Sequence, residues 1–203
     1  MQEKGAFLKR MLNLKSIKLF FIFVLLSLPL ASKENIALNS ALNYLNNLNE
    51  FSSSFLQIQN NDISEGLIFI KGDRLRIEYI SPSNIIFILK KNKGMYFNTE
   101  LQEVQYFNPK KTIGKFFIDL FNNNKFLSDS KIINKKGYFY IQNEIQLDEI
   151  TYGIKIYFEE KPLQLRKLEI INELEIINFT ILNPNYNPNL NDKFFSLANP
   201  LLS

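Results

Sequence analysis

The chain has 203 residues, contains neither cysteine nor histidine, and carries a formal net charge of +4 at neutral pH. The absence of cysteine excludes disulfides, a thiol nucleophile and a lipidated N-terminal cysteine. The absence of histidine removes the commonest general base and the commonest transition-metal ligand, which excludes a Ser-His-Asp triad and a histidine-based zinc site.

The N-terminal residues predict a secretory signal peptide. Five basic residues accompany the apolar run at 19–30, which is shorter than the roughly 20 residues that a transmembrane helix needs. Small residues allow cleavage after Ala31 or after Ser32, and Met11 is an alternative start to Met1. The sequence therefore predicts an exported protein.

Removal of residues 1–32 leaves residues 33–203, which we expect to form one domain without net charge. The leader holds five of the 24 basic residues and one of the 20 acidic residues, so 19 of each remain. The excess positive charge of the whole chain belongs to the leader, and the domain has no electrostatic footprint for nucleic acid or an anionic membrane. We therefore expect no nucleic-acid partner.

The segment after the leader predicts an amphipathic helix, roughly Glu34–Asn49. Leu38, Leu42, Leu45 and Leu48 recur at helical spacing and form one apolar stripe, whereas asparagine dominates the polar face. Asparagine is a mediocre helix former, so this helix is expected to depend on docking its apolar stripe against another element.

From Phe51 onward, short runs rich in Ile, Phe, Tyr and Thr predict β-strands separated by turns of a few residues. Connections that short favour antiparallel neighbours. The predicted strands are Phe51–Gln59, Gly66–Ile70, Leu75–Ile80, Asn84–Leu89, Met95–Asn98, Glu103–Phe107, Lys131–Asn134, Tyr138–Asn143, Thr151–Phe158, Leu163–Ile171, Leu174–Leu182 and a final short one near Phe194–Leu197.

A second helix interrupts the strands within "TIGKFFIDLFNNN". Its apolar residues Ile113, Phe116, Phe117, Leu120 and Phe121 follow the i, i+3, i+4, i+7, i+8 spacing of one helix face. About eleven strands and two one-sided helices are compatible with a sandwich or with a strongly curved sheet. The helices favour the curved sheet, because an open barrel whose mouth they cover would bury their apolar faces. We therefore predict a mainly β fold with some α, an open antiparallel barrel covered by two amphipathic helices.

The order of these elements resembles the LolA family of periplasmic lipoprotein carriers. The first strand "FSSSFLQIQ" and the second strand "EGLIFIK" precede "KGDRLRIEYISP", and "NKGMYFNTELQEVQYF" follows. The third segment is similar to the family's arginine-proline-glycine-arginine-aromatic-arginine-aromatic-glutamate-tyrosine pattern, which a proline follows. The residues that match this pattern directly are Arg74, Arg76, Glu78, Tyr79 and Pro82.

The same segment departs from the family pattern at four positions. Lys71 stands in place of the first arginine, Gly72 in place of proline, Asp73 in place of glycine, and Ile77 in place of an aromatic residue. The resemblance implies an unclosed antiparallel β-barrel of about eleven strands whose helices form a lid over an apolar cavity for acyl chains. It also implies that the first arginine faces the cavity and hydrogen-bonds the lid, which keeps the empty carrier closed. Lys71 is therefore the expected lid latch, with three donors but without the planar fork of arginine.

Strand parity and the two helix stripes give a set of candidate residues for the wall of an acyl-chain cavity. We expect these side chains to face a common interior, although the alternative for any one of them is a place in a filled core. The candidates are Leu38, Leu42, Leu45, Phe69, Leu75, Ile77, Tyr79, Phe116, Phe117 and Leu120.

Arg74 and Arg76 are expected on the opposite strand face from Leu75 and Ile77. A charged outer face is ordinarily solvated. The alternatives are ion pairs with carboxylates such as Glu78 on the same face, or a contact with a partner.

The carboxylates do not form a recognisable active site. Glu159 and Glu160 are adjacent and would point to opposite faces of a strand, and Glu169 alternates with apolar residues. With only seven glycines, the chain shows no phosphate or dinucleotide motif, and we expect no cofactor, no metal and no enzymatic activity. The alternative from another class is a carboxylate-dependent secreted hydrolase on a β-sandwich.

The resemblance implies a monomeric periplasmic chaperone that moves lipoproteins from the inner to the outer membrane. Its implied partners are acylated lipoproteins, an inner-membrane ABC-type lipoprotein-releasing complex and an outer-membrane receptor. An acyl-ligand-sensing domain of the same fold is the alternative within this fold.

Overall fold

The computed structural model describes residues 33–202, and the predicted signal peptide, residues 1–32, lies outside the described residues. Two α-helices occur in this part of the chain, α1 (Lys33–Asn46) and α2 (Gly114–Asn122). Among the described residues no helix combines the length and apolar character needed to cross a bilayer. Short 3-10 helices lie at Pro109–Lys111, Asn124–Leu127, Asp192–Phe195 and Pro200–Leu202.

Eleven antiparallel strands form a single sheet. In chain order they are β1 (Glu50–Gln59), β2 (Asp62–Lys71), β3 (Arg74–Ser81), β4 (Ile85–Lys90), β5 (Lys93–Asn98), β6 (Glu103–Phe107), β7 (Lys131–Asn134), β8 (Tyr138–Leu147), β9 (Ile150–Glu160), β10 (Leu163–Ile171) and β11 (Ile176–Asn185).

The sheet has the order β6-β5-β4-β3-β2-β1-β11-β10-β9-β8-β7, so β1 and β11 pair in the middle. In this order β6 and β7 are the two edges, and they do not pair with each other. The predicted fold class, an unclosed antiparallel barrel of about eleven strands with two helices, is confirmed.

Both helices pack on the concave face of the sheet. Helix α1 buries Ala41 and Leu45 completely, and its Tyr44 ring meets Phe158 of β9 edge to face with 5.7 Å between centroids. Helix α2 buries Phe116 and Leu120. Each helix depends on docking one apolar face, since neither is long enough to be stable alone in water, and this dependence was predicted for α1.

Several predicted boundaries shift by a few residues, and β2 and β11 extend beyond their predicted ends. Helix α1 ends at Asn46 because residues 47–49 turn into β1, and the Gly72 amide donates to the Asn49 carbonyl at 3.0 Å. The short strand predicted near Phe194–Leu197 is wrong, since Asp192–Phe195 is a 3-10 helix. An extended chain would point Phe194 and Phe195 to opposite sides, whereas the helical turn lets both rings pack against the same sheet.

Directly after β11, Tyr186 still contacts Tyr44 and Phe51 on the helix side of the sheet. From Leu190 the chain lies on the convex face, and we call residues 190–202 the C-terminal strap. Phe195 is fully buried in a cluster with Ile88 of β4 and Met95 of β5. The Phe194 ring packs edge to face on Phe69 of β2, with 4.8 Å between centroids. The strap thereby covers apolar side chains of β2, β4 and β5 that would otherwise face water.

Charged groups fix the beginning of the strap. The Lys71 ammonium donates to the Leu190 carbonyl at 2.5 Å and lies 3.0 Å from the Glu50 carboxylate. The Leu190 amide donates to Glu50 at 3.0 Å, and Asp192 pairs with Arg74 at 2.8 Å. These alternating charges bind the strap to β1, β2 and β3.

Arg76 holds the next part of the strap. Its guanidinium donates to the Phe194 carbonyl at 2.8 Å and lies 4.3 Å above the centre of the Phe194 ring. It also pairs with Glu78 on the same strand face. Both arginines of β3 therefore face away from the concave side, as predicted, and their contacts are with the chain's own C-terminal residues.

We expect the start of the strap to loosen in acid. The Leu190 amide and Lys71 lower the pKa of Glu50, and Arg74 and Lys71 lower the pKa of Asp192. A carboxyl group with a lowered pKa stabilises the folded state above its unfolded-state pKa, and this contribution disappears as the pH falls through the lowered value. Glu50 raises the pKa of Lys71, so the contribution of Lys71 to the stability of the folded state is lost only at strongly alkaline pH.

The test is hydrogen exchange of the Leu190 amide, corrected for the intrinsic pH dependence of exchange. Protection should be constant near neutrality and should fall below about pH 4, where carboxyl groups take up protons. In Glu50→Gln the amide should already exchange faster at neutral pH, because the ionic acceptor is gone. Unchanged protection in acid would contradict the assigned role of these carboxylates.

Gly66 of β2 is needed for close packing between β1 and β3. A Cβ atom at this position would lie 2.1 Å from the Glu78 carbonyl oxygen and 2.7 Å from the Phe55 ring. We expect Gly66→Ala to lower the free energy of unfolding by about 1–3 kcal/mol, the usual cost of overpacking. Urea unfolding followed by circular dichroism measures this change.

Gly153 of β9 provides the matched control. A Cβ atom there would meet nothing closer than Ile171 at 3.8 Å, an ordinary contact. Gly153→Ala should change the unfolding free energy by less than about 0.5 kcal/mol. Equal effects of the two substitutions would show that the short contacts of Gly66 do not limit packing.

Candidate functional site

A cavity of about 470 Å³ opens on the concave side of the sheet, next to the first turn of α2. Strands from both halves of the sheet and the residues leading into α2 contribute to its wall. The lining residues are Gln57, Gln59, Ile77, Tyr79, Phe87, Leu89, Tyr96, Gln105, Phe107, Thr112, Ile113, Gly114, Phe117, Ile170, Ile177 and Phe179.

The start of α2 sits unusually close to β4. A Cβ atom on Gly114 would lie 2.2 Å from a methyl group of Leu89, so only glycine permits this approach without a shift. The Gly114 amide donates to the Thr112 hydroxyl at 3.2 Å, which orients the first turn. From this point the helix directs Phe117 onto Phe179 of β11, with 5.5 Å between ring centroids.

Aromatic rings form a continuous wall along the cavity. Phe179 stacks on Phe55 with centroids 4.2 Å apart, and Phe55 meets Tyr79 at 5.3 Å. Tyr79 then contacts Phe87 at 6.0 Å, and Phe87 contacts Tyr96 at 5.3 Å. Such pairs add directional contacts to area burial, so this wall is a fixed surface.

Tyr79 gives the wall one internal polar group. Burial raises the pKa of Tyr79 to about 12, so the phenol keeps its proton at neutral pH. The hydroxyl donates to the Gln57 side-chain oxygen at 2.6 Å. A neutral phenol bound in this way leaves the interior without a charge.

The predicted cavity residues fall into three groups. Ile77, Tyr79 and Phe117 lie in the cavity wall. Others are buried in the core and do not line this cavity, and these are Leu45, Leu75, Phe116 and Leu120. Leu38 and Leu42 of α1 are half-buried against the same core, and Leu38 borders a separate hollow formed with residues 128–133.

The structure corrects the placement of Phe69. Gly66, Ile68 and Ile70 alternate on the concave face of β2, so Phe69 points to the convex face and packs under the strap. The run "GLIFIK" is apolar at consecutive positions, and parity alone did not settle which face is inward.

The structure also corrects the placement of Lys71. Lys71 is two residues after Phe69 in the same strand and therefore lies on the same convex face. It contacts Glu50, Leu190 and Asp192. None of these belongs to α1 or α2. In this structure Lys71 binds the strap, which is on the opposite side of the sheet from the lid.

The sequence interpretation missed a large part of the wall. Ile177 and Phe179 of β11 alternate with Asn178 and Thr180, a period of two that predicts an inward apolar face. Gln57 and Gln59 share the face of Phe51 and Phe55 by the same rule, but their polarity argued for solvent. The alternation in β1 and β11 was the signal that could have identified these positions.

Among the described residues no carboxylate lines this cavity, although Glu175 and Glu103 accept hydrogen bonds from its lining residues Gln59 and Gln105. Other carboxylates form ion pairs. Glu159 pairs with Arg166, and Glu169 accepts hydrogen bonds from Lys155 at 2.5 Å and Lys167 at 2.9 Å. Among residues 33–202 there is no group of three or more acidic side chains arranged to hold a metal ion.

Comparison with known proteins agrees with this geometry. The family model described as outer membrane lipoprotein carrier protein LolA matches residues 46–198. No curated protein sequence is significantly similar to the chain.

Several solved structures have a related fold at low sequence identity. An uncharacterized conserved protein from Thermus thermophilus is 6% identical, with a TM-score of 0.53 over 78% of this chain and 92% of that one. An outer membrane lipoprotein-sorting protein domain from Vibrio parahaemolyticus is 7% identical, with a TM-score of 0.44 over 79% and 95%. MucB in the Pseudomonas aeruginosa MucA/MucB complex is 14% identical, with a TM-score of 0.44 over 77% and 60%.

The first of these likenesses concerns the fold alone, and the other two are too weak to carry an argument. The family match spans most of the chain, including every strand of the sheet. It therefore shows that this chain belongs to the LolA family of outer membrane lipoprotein carrier proteins.

Proposed function

We propose that this protein is a periplasmic carrier that binds the acyl chains of lipoproteins and moves them from the inner to the outer membrane. It would receive its cargo from an inner-membrane ABC-type releasing complex and pass it towards the outer membrane, with or without a receptor there. Membership of the family supports the lipid-binding role, and the predicted leader supports export.

The observation that carries this proposal is the apolar cavity beside α2. Burial of each methylene group is worth about 0.8 kcal/mol, or about 12 kcal/mol for a sixteen-carbon chain before the costs of binding. The aliphatic and aromatic wall can provide that burial without a directional contact. Such a site accepts the same acyl group from many lipoproteins whatever their sequence.

The size of the cavity suits an acyl chain. It measures about 470 Å³, within the range of about 300–1,000 Å³ that is usual for small-molecule pockets.

The hydrolase alternative required a β-sandwich with a facing carboxylate pair in a polar cleft. The described residues instead form a single sheet, and its interior hollow is lined mainly by apolar side chains. This geometry favours binding over hydrolysis.

The direct test is to express the full sequence together with a lipoprotein in a Gram-negative host and to purify the protein from the periplasm. We expect native mass spectrometry to show a fraction that carries acylated protein. A cargo variant without the acylated cysteine is the control and should not co-purify. Preparations that are always empty would contradict the carrier function.

A second test fills the cavity with a larger side chain. Ile177 is half-buried in the cavity wall, so Ile177→Trp should place an indole in the space for the acyl chain. Binding of a fluorescent fatty-acyl probe should weaken about tenfold, or about 1.4 kcal/mol. Stability should change little, because the larger side chain grows into open space.

Ile176 is the matched control for this substitution. It is 50% exposed on the other face of β11 and does not line the cavity. Ile176→Trp should bind the probe like the unmodified protein. If both variants bind equally well, the acyl chain does not occupy this cavity.

A further inference from the structure

A row of hydrogen-bonded polar side chains lies at one side of the apolar cavity. The Tyr79 hydroxyl donates to Gln57 Oε1 at 2.6 Å, and Gln57 Nε2 donates to Gln59 Oε1 at 3.2 Å. Gln59 Nε2 then donates to the Glu175 carboxylate. Every donor in this row points towards Glu175, so the row has one direction and ends on a negative charge.

The backbone places these four groups side by side. In the pairing of β1 with β11, Gln57 lies opposite Phe179 and Gln59 lies opposite Ile177, both of which line the cavity. Glu175 precedes Ile177 by two residues and so extends the same face of the chain. The row therefore runs along one side of the cavity mouth.

Two local features hold the ends of the row. Gly66 separates Tyr79 from Phe55 in the strand pairing, and because it has no side chain the Tyr79 ring reaches across β2. At the other end, Asn172 Oδ1 accepts from the amides of Leu174 and Glu175, at 2.9 Å each. This turn fixes the backbone of Glu175 beside the strands.

The two glutamines of the row have N–H donors that the row itself does not use. A glutamine amide nitrogen carries two hydrogens, and Gln57 and Gln59 each use one of them within the row. The second N–H of each amide is available to a carbonyl oxygen at the cavity mouth. A buried acyl chain would bring its own carbonyl group to that place, because the head group is attached at the end of the chain.

The charge at the end of the row distinguishes between head groups. An ester or amide carbonyl is neutral and can accept from the glutamines. A free fatty acid carries a carboxylate, which the Glu175 carboxylate would repel in a partly desolvated site. Repulsion of one head group together with hydrogen bonding of the other gives selectivity without any contact to the rest of the cargo.

We propose that Gln57, Gln59 and Glu175 form a head-group subsite that selects acyl chains in ester or amide linkage and rejects free fatty acids. This inference rests on the proposed acyl-binding function, and it adds the substrate class to it. Glu175 is the specificity-determining residue, and Gln59 is the group that connects it to the cavity.

The test compares two ligands that share one twelve-carbon chain, monolauroylglycerol and laurate. Calorimetric titration of the purified protein at neutral pH, with both ligands below their micelle concentrations, should show about tenfold tighter binding of the ester. Glu175→Gln should strengthen laurate binding and bring the ratio of the two affinities close to one, while ester binding stays within about twofold.

Glu173 supplies the matched control, since it is an exposed carboxylate in the same turn without a contact to the glutamines. Glu173→Gln removes the same charge from the surface and should leave the ratio unchanged. Gln59→Leu provides a second variant, which should weaken binding of the ester several-fold because an N–H donor is lost.

The possible results separate this inference from the proposed function. Equal affinities of the unmodified protein for ester and acid, or equal effects of Glu173→Gln and Glu175→Gln, would overturn the subsite while leaving an acyl-binding cavity in place. If neither ligand binds, both the subsite and the proposed function are overturned.

Discussion

Helix α2 covers the concave face of the sheet only in part, and the cavity exists because of that incomplete cover. Phe116 and Leu120 fill the space beneath the helix, whereas the residues before its first turn stand over a region that no side chain fills. Close-packed interiors rarely contain voids larger than a water molecule. A hollow of about 470 Å³ is therefore a feature of the helix position, which Gly114 permits by its close approach to Leu89.

The convex face of the sheet, by contrast, is covered closely. Strands β2, β4 and β5 carry apolar side chains on this side as well, so a single layer of sheet has two faces to bury. The strap covers the second face with Phe194, Phe195 and Leu190, and the cationic side chains of β2 and β3 hold its backbone. The two arginines that looked like solvated surface groups are thus part of the packing of the sheet.

Much of this architecture was predictable from local patterns. The spacing of Phe116, Phe117 and Leu120 predicted α2, and the short turns predicted an antiparallel sheet. The inward face of β3 followed from the alternation of charged and apolar residues at 74–79. Each of these signals is contained within one element, and the structure agrees with it.

The predictions that failed depended on contacts between distant parts of the chain. The face of Phe69 depends on the strap, which lies more than a hundred residues later, and β2 has no polar alternation that would reveal it. Lys71 was assigned by resemblance to a family position, whereas its partners are set by the course of residues 190–192. The glutamines of β1 were missed because polar side chains seldom turn inward unless an adjacent group satisfies them.

The two unpaired edges of the sheet have a mechanical consequence. A closed barrel has a girth fixed by its strand number and stagger, so its interior cannot widen unless hydrogen bonds between strands break. Here β6 and β7 share no ladder, and the sheet can curl or uncurl while all ten strand pairings persist. The volume that the sheet encloses can therefore change without the loss of any hydrogen bond between strands.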